Sequence, residues 1–135
     1  MRIKTGKDKG KAIALKDTAI TTLQRLRETN RAKYPSNSLK DYYDIIKSLM
    51  EALNALEGIK FKGDAAHYKT IEHICRRYAL SEPARELLQQ IRDYRNMMSY
   101  EGFHVKSSYI KQNVKRIEKI IKKLLSLLED NLRNN

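Results

Sequence analysis

The side chains best suited to chemistry fall in one stretch, Arg92 to His104, which holds Asp93, Arg95, Asn96, Tyr100 and His104. Arg92, Asn96 and Tyr100 recur at every fourth residue, so on a helix they share one side. Arg95 lies about 40° from Ile91 around a helix, which puts a guanidinium close to an apolar stripe. A charge there has to be paired, or has to face a cavity or a second chain. Arginine can clamp a phosphate with two parallel hydrogen bonds and stabilise the charge developing on it. Asparagine is a poor helix former that can hydrogen-bond across a groove instead, and tyrosine rings can stack on unpaired bases. The plainer reading of the same residues is a salt-bridged surface turn: Arg92 or Arg95 with Asp93 or Glu101, and Tyr100 packed as a cap.

The overall charge fits a polyanionic partner. Lys and Arg number 28 against 16 Asp and Glu, a formal net charge of +12. Residues 1–33 alone carry ten basic side chains against three acidic ones. Near the other end, Lys111, Lys115, Arg116, Lys119, Lys122 and Lys123 follow one another with Glu118 the only acid before Glu129. Two basic faces on a small domain point to RNA or DNA. A lysine-rich face kept for solubility is the alternative. The candidate nucleic-acid contacts are Arg92, Arg95, Lys111, Lys115 and Lys119.

Other chemistries find no support. No glycine-rich phosphate loop is present, and no H-E-x-x-H. His67 and His73 are six residues apart, about 600° around a helix, so they point to different sides. His67 is expected to make a local hydrogen bond near a helix start, and Cys75, beside Ile71 and Ile74, to be a small core residue. No metal or cofactor is expected. A single cysteine excludes an intrachain disulfide.

Helices must position these residues. The chain has 135 residues, 41% hydrophobic and 33% charged, with five Gly and two Pro, which suits one all-α domain and not a turn-rich β-sandwich. Apolar runs stop at three or four residues, against the ~18 a spanning helix needs, so no membrane contact is expected. No apolar segment follows the basic start, and the reading expects a cytoplasmic protein. Residues 1–11, with five basic residues and two Gly, read as a flexible basic tail before a single domain over 12–135. Periodicity predicts a first helix over about 11–33, stopped by Pro35. A second is predicted from an N-cap at Ser38 to a stop at Gly58. A third follows over 65–78 behind an N-cap at Asp64. A fourth runs from Ser81 to about Tyr100, and a fifth over about 108–131. In the last, Ile110, Val114, Ile117, Ile121, Leu124 and Leu128 form a seam, and Ile120, Leu125, Leu127 and Leu132 widen it. That is more apolar surface than one neighbouring helix needs. The expected fold is an antiparallel bundle of four to five helices.

The segment Arg95-Asn96-Met97-Met98-Ser99-Tyr100 resembles the R-N-x-x-x-H motif of the HEPN superfamily, helical bundles in which that motif ends the penultimate long helix. Tyr100 stands where the family has histidine. Asp41-Tyr42-Tyr43-Asp44 leading a helix to Ala55-Leu56-Glu57-Gly58, and Glu101-Gly102-Phe103 before a Lys/Leu-rich last helix, extend the likeness over roughly residues 17–132. The resemblance implies metal-independent RNA cleavage in many members. Two motif copies meet across a dimer, and histidine and arginine act on the 2′-hydroxyl and the phosphate. Some prokaryotic members pair with small nucleotidyltransferases, as toxin and antitoxin or as a substrate-binding subunit. Histidine as a residue type exchanges protons near neutrality. Tyrosine, ionising near pH ~10, donates a hydrogen bond but is a poor general base.

The leading expectation is therefore a HEPN-like, non-catalytic domain that forms a homodimer and binds RNA, a nucleotide or a nucleotidyltransferase partner. An active ribonuclease using Arg95 and Asn96 with Tyr100 or, less directly, His104 is the alternative. A third reading is an unrelated basic helical interaction or nucleic-acid-binding module.

Overall fold

A computed structural model of the chain describes residues 1–134. Five helices form an all-α bundle: α1 (Lys9–Arg27), α2 (Pro35–Glu57), α3 (Ala66–Arg77), α4 (Glu82–Glu101) and α5 (Ser107–Arg133). Two short strands, β1 (Arg2–Lys4) and β2 (Ile59–Phe61), pair antiparallel with Ile3 opposite Lys60.

The bundle is built around α2, which packs against every other helix. Thirteen of its 23 residues are buried, among them Leu39, Tyr42, Ile46, Leu49, Leu53 and Leu56. Helix α1 runs antiparallel to it. Arg25 pairs with Asp41 at 3.0 Å at one end, and the Asp8 N–H donates to the Ala55 carbonyl at 2.9 Å at the other. Helices α3 and α4 are joined by Arg85–Glu72 at 3.0 Å and by Gln89 Nε2 donating to the Tyr68 carbonyl at 3.1 Å. Helix α5 packs along α2, and from it the Tyr109 hydroxyl reaches α4 to donate to Gln90 Oε1 at 2.5 Å.

The expected seam of α5 is largely buried: Ile110, Ile117, Ile121, Leu124 and Leu128 lie in the core. The surplus beside it is also used within the chain. Ile120 is buried, and Val114, Leu125, Leu127 and Leu132 pack half-buried against the core. The lone acid of the basic stretch, Glu118, is turned inward. It meets Arg27 at 3.2 Å and Arg31 at 3.6 Å, and accepts from the Tyr42 hydroxyl at 3.4 Å. One carboxylate thus ties α1, the α1–α2 connection and α2 to α5.

The N-terminal residues depart from the expected flexible tail over 1–11. Arg2–Lys4 pair with β2, the Thr5 N–H donates to the Gly58 carbonyl at 2.7 Å, and α1 already begins at Lys9. Asp8 caps that helix by accepting from the Lys11 N–H at 2.9 Å. A three-residue strand has too few positions to show a period, and its partner lies far along the chain. The first helix also ends early, at Arg27, because Pro35 opens α2 from its first turn. Ser38, expected as the N-cap, lies inside that turn and donates to the Arg31 carbonyl at 3.1 Å. Asp64 caps nothing: α3 follows Ala65, whose φ is +62°, with no side-chain cap. Ser81 does cap α4, and Gly58 and Gly102 end α2 and α4 in the left-handed conformation expected of them.

The two glycines differ in surroundings. A Cβ on Gly58 would lie 2.7 Å from the Thr5 carbonyl oxygen, whereas one on Gly102 meets open space. In urea denaturation Gly102→Ala should cost about 1–2 kcal/mol, the ordinary left-handed penalty. Gly58→Ala should cost more, because the N-terminal strap must also shift; equal costs would mean the strap does not hold. A second expectation concerns alkali. Burial raises the Cys75 thiol from 9.0 to about 11, and burial raises the Tyr42, Tyr43 and Tyr109 hydroxyls from 10.0 to about 12. Raised folded-state values contribute stability that is complete below the unfolded values and is lost as pH climbs through the folded ones. Stability should therefore hold to about pH 9 and fall between pH 9 and 12, as followed by circular dichroism.

Candidate functional site

Helix α4 places the Arg92–Tyr100 segment. Ser81 starts it by accepting from the Ala84 N–H at 3.3 Å, Pro83 suits its first turn, and Leu87, Leu88 and Ile91 anchor it in the core. Its last turns are held by aromatic contacts. Tyr94 stacks on Phe103 with ring centroids 5.3 Å apart, and meets Tyr109 edge-on at 5.1 Å. The connector is fastened where the Val105 N–H donates to Ser36 Oγ at 2.9 Å.

Arg95 faces α2. Its Nε lies 3.9 Å from Asp44 Oδ1, close enough to attract but too far for a hydrogen bond. That nitrogen is buried and has no hydrogen-bond partner, while the other end of the guanidinium donates to Ser99 Oγ. The Tyr43 hydroxyl, also buried, has no partner either. Burial pushes its ionisation up to about 12, and the charges of Arg92, Glu51, Asp44 and Arg95 act on it as well. Each unmet buried polar group costs about 1–3 kcal/mol. Both groups here are donors, so the missing chemistry is an acceptor. The space beside Arg95 is a shallow cleft between α1 and α4, floored by Asp44, Lys47, Ser48 and Glu51 of α2 and edged by Leu15.

The other expected residues point elsewhere. Arg92 donates to Gln89 Oε1 at 2.8 Å and to Asp93 at 2.7 Å, and lies over the Tyr68 ring at 5.4 Å. It thus takes the salt-bridged form that the sequence offered as the plainer reading. Asn96 and Tyr100 are exposed and make no side-chain hydrogen bond or ion pair among the described residues; Tyr100 is 86% exposed. Five helical residues separate Tyr100 from Arg95, about 140° of rotation, so one chain does not bring both to one phosphate. His104 is exposed in the α4–α5 connector, beside a different depression bordered by Tyr94, Phe103 and Tyr109. The structure does not bring it to Arg95. Lys111, Lys115 and Lys119 form an exposed column on α5 with no ion pair, and no contact joins that column to Arg92 or Arg95.

The two remaining histidines are also accounted for. His73 Nε2 lies 3.4 Å from Glu57, which also accepts from the Tyr78 hydroxyl at 2.9 Å. His67 makes no local hydrogen bond, contrary to expectation. It meets the Tyr43 ring edge-on at 6.5 Å, and burial, with Lys47 nearby, lowers its ionisation below the ordinary range. Cys75 is buried, as its position among apolar neighbours suggested.

Sequence reasoning missed Tyr43, Asp44 and Glu51. Part of the signal was legible: Asp44, Lys47 and Glu51 recur at three and four residues along an otherwise apolar helix, which marks a polar stripe. That the Tyr43 hydroxyl lacks a partner depends on tertiary packing and leaves no trace in spacing.

No protein-family model, curated protein or solved structure matches this chain, and the site is read from its own geometry. If the Tyr43 hydroxyl is unmet, Tyr43→Phe should leave stability unchanged or raise it by up to about 1 kcal/mol in urea denaturation. A loss of more than about 1 kcal/mol would mean that the hydroxyl has a partner in solution.

Proposed function

We propose that the chain is a HEPN-like helical binding module, without catalysis of its own, that forms a homodimer through the α4 face and binds single-stranded RNA. The observation that carries this reading is Arg95: a half-buried guanidinium with an unmet Nε at the edge of an open cleft. A guanidinium with a donor left unused suits a phosphate oxygen, which accepts several hydrogen bonds at once. Asn96 and Tyr100 add a polar group and an aromatic ring that their own chain leaves unused. They can serve a partner subunit or a base. The α5 lysine column supplies affinity without sequence choice. The dimer is supported by this exposed pair on α4 and no longer by α5, whose apolar surplus is spent internally.

Residue type and placement support the reading without catalysis. Tyr100 occupies the position of the motif histidine, and His104 borders a separate depression. Neither residue therefore gives Arg95 a group suited to proton transfer near neutrality. A small nucleotidyltransferase is the protein partner the resemblance implies, and RNA remains the ligand the geometry favours.

The test is binding and cleavage of a single-stranded oligoribonucleotide in chelator-containing buffer. The wild type should bind with affinity that falls as salt rises, and should not cleave. Arg95→Ala should weaken binding about tenfold or more, the loss of a charge-assisted contact. Unchanged affinity in Arg95→Ala would leave an unrelated basic module. Metal-free cleavage that disappears in Arg95→Ala would make the chain a ribonuclease instead.

A further inference from the structure

A second cavity, of about 230 Å³, lies farther along α2 beneath the N-terminal strap. Thr5 and Gly6 roof it, fixed by the Thr5 N–H on the Gly58 carbonyl, and Ile59 and Phe61 of β2 form an apolar wall. Three lysines, Lys11, Lys47 and Lys60, border it, together with Ala66 and His67 from the first turn of α3. That turn has no side-chain cap and no acidic residue; the Ala66 N–H donates to the Gly63 carbonyl at 3.3 Å, and the positive end of α3 still faces this cavity.

The carboxylates at this cavity are already engaged. Asp8 caps α1, and Glu51 pairs with Lys47 at 3.9 Å. Lys11 and Lys60 have no carboxylate partner among the described residues. A separate observation points to a ligand more complex than an ion. Asn54, only 4% exposed, lines the same cavity, and its Oδ1 has no hydrogen-bond partner. A carbonyl oxygen so placed calls for a donor, which inorganic phosphate dianion does not supply well and a sugar hydroxyl does.

We propose that this cavity binds a phosphomonoester carried on a small hydroxyl-bearing skeleton. The phosphoryl group sits among Lys11, Lys60 and the start of α3, and a ligand hydroxyl donates to Asn54. The cavity is distinct from the Arg95 cleft, and the inference does not rest on RNA binding there. The same chemistry exists in a free sugar phosphate and in the 5′-phosphorylated end of an oligonucleotide.

The test is isothermal titration calorimetry of the full chain with ribose 5-phosphate, with ribose and inorganic phosphate as comparisons. Ribose 5-phosphate should bind at least tenfold more tightly than either. The double variant Lys11→Ala/Lys60→Ala, altered only at exposed positions, should lose at least tenfold while keeping its circular dichroism spectrum. Asn54→Ala should reduce ribose 5-phosphate affinity towards that of inorganic phosphate. No binding of ribose 5-phosphate at millimolar concentration, equal binding of inorganic phosphate, or full affinity in the double variant would each overturn the proposal. Displacement by a 5′-phosphorylated oligoribonucleotide, but not by its 5′-hydroxyl counterpart, would assign the site to an RNA end. Binding without such displacement would assign it to a free metabolite.

Discussion

Helix α2 is enclosed by the four other helices, and that enclosure governs the rest of the molecule. A helix in this position has to be apolar nearly all round, because an unmet polar group inside costs more than a hydrogen bond returns. Tyr42, Ile46, Leu49 and Leu53 satisfy the constraint. One polar stripe of it lies where α1 and α4 do not close over it. Asp44, Lys47, Glu51 and Asn54 occupy that stripe, which spans ten residue steps or about 15 Å at 1.5 Å per residue. Both clefts discussed above open onto it and share Lys47 and Glu51. The packing that makes the core therefore also determines where a ligand can be met by more than surface lysines.

The charge distribution follows a similar logic. Most cations of α1 and α5 stay in water, where each is cheap to keep. Three acids are placed at joints: Asp41 against Arg25, Glu118 against Arg27, Arg31 and the Tyr42 hydroxyl, and Glu72 against Arg85 and Gln89. Glu72 is held below the ordinary carboxylate range first by its hydrogen bond from Gln89 and also by Arg85. These three serve where two elements must meet in register, while others, among them Asp17, Glu86 and Asp93, stay on the exposed surface. The net positive field over the outer surface is what remains, and this field suits a polyanion.

How much of this was legible in the sequence depends on the range of the signal. The 3.6-residue period revealed all five helices, and Ser81, Gly58 and Gly102 marked ends through local chemistry that acts within a few residues. Failures came where a local cue had two uses. Pro35 closes a helix in one reading and opens the next in the other, and the structure takes the second. The strand over Arg2–Lys4 exists only because β2 lies beside it, so five basic residues and two glycines read as a tail. At the site, the closeness of Arg95 to an apolar stripe correctly implied that it would need a partner. Which partner, and that it would sit 3.9 Å away and leave Nε unmet, required the placement of Asp44 across the α2–α4 contact.

The looseness of that pair has a chemical consequence. An ion pair in partly solvated surroundings is worth only ~0–1 kcal/mol, so Asp44 steers Arg95 without saturating it. The same carboxylate repels an incoming anion. A simple ion gains little by approaching, since it must overcome Asp44 and Glu51 for one guanidinium. A ligand would gain more if it also placed a ring against exposed side chains on α4, or spanned on to the lysines farther along the stripe. On the proposed reading each added contact would offset a fixed repulsion, and the cleft would discriminate by the number of groups a ligand presents at once. Charge alone would bring many anions to this surface; the acids on the α2 stripe would restrict which of them stay.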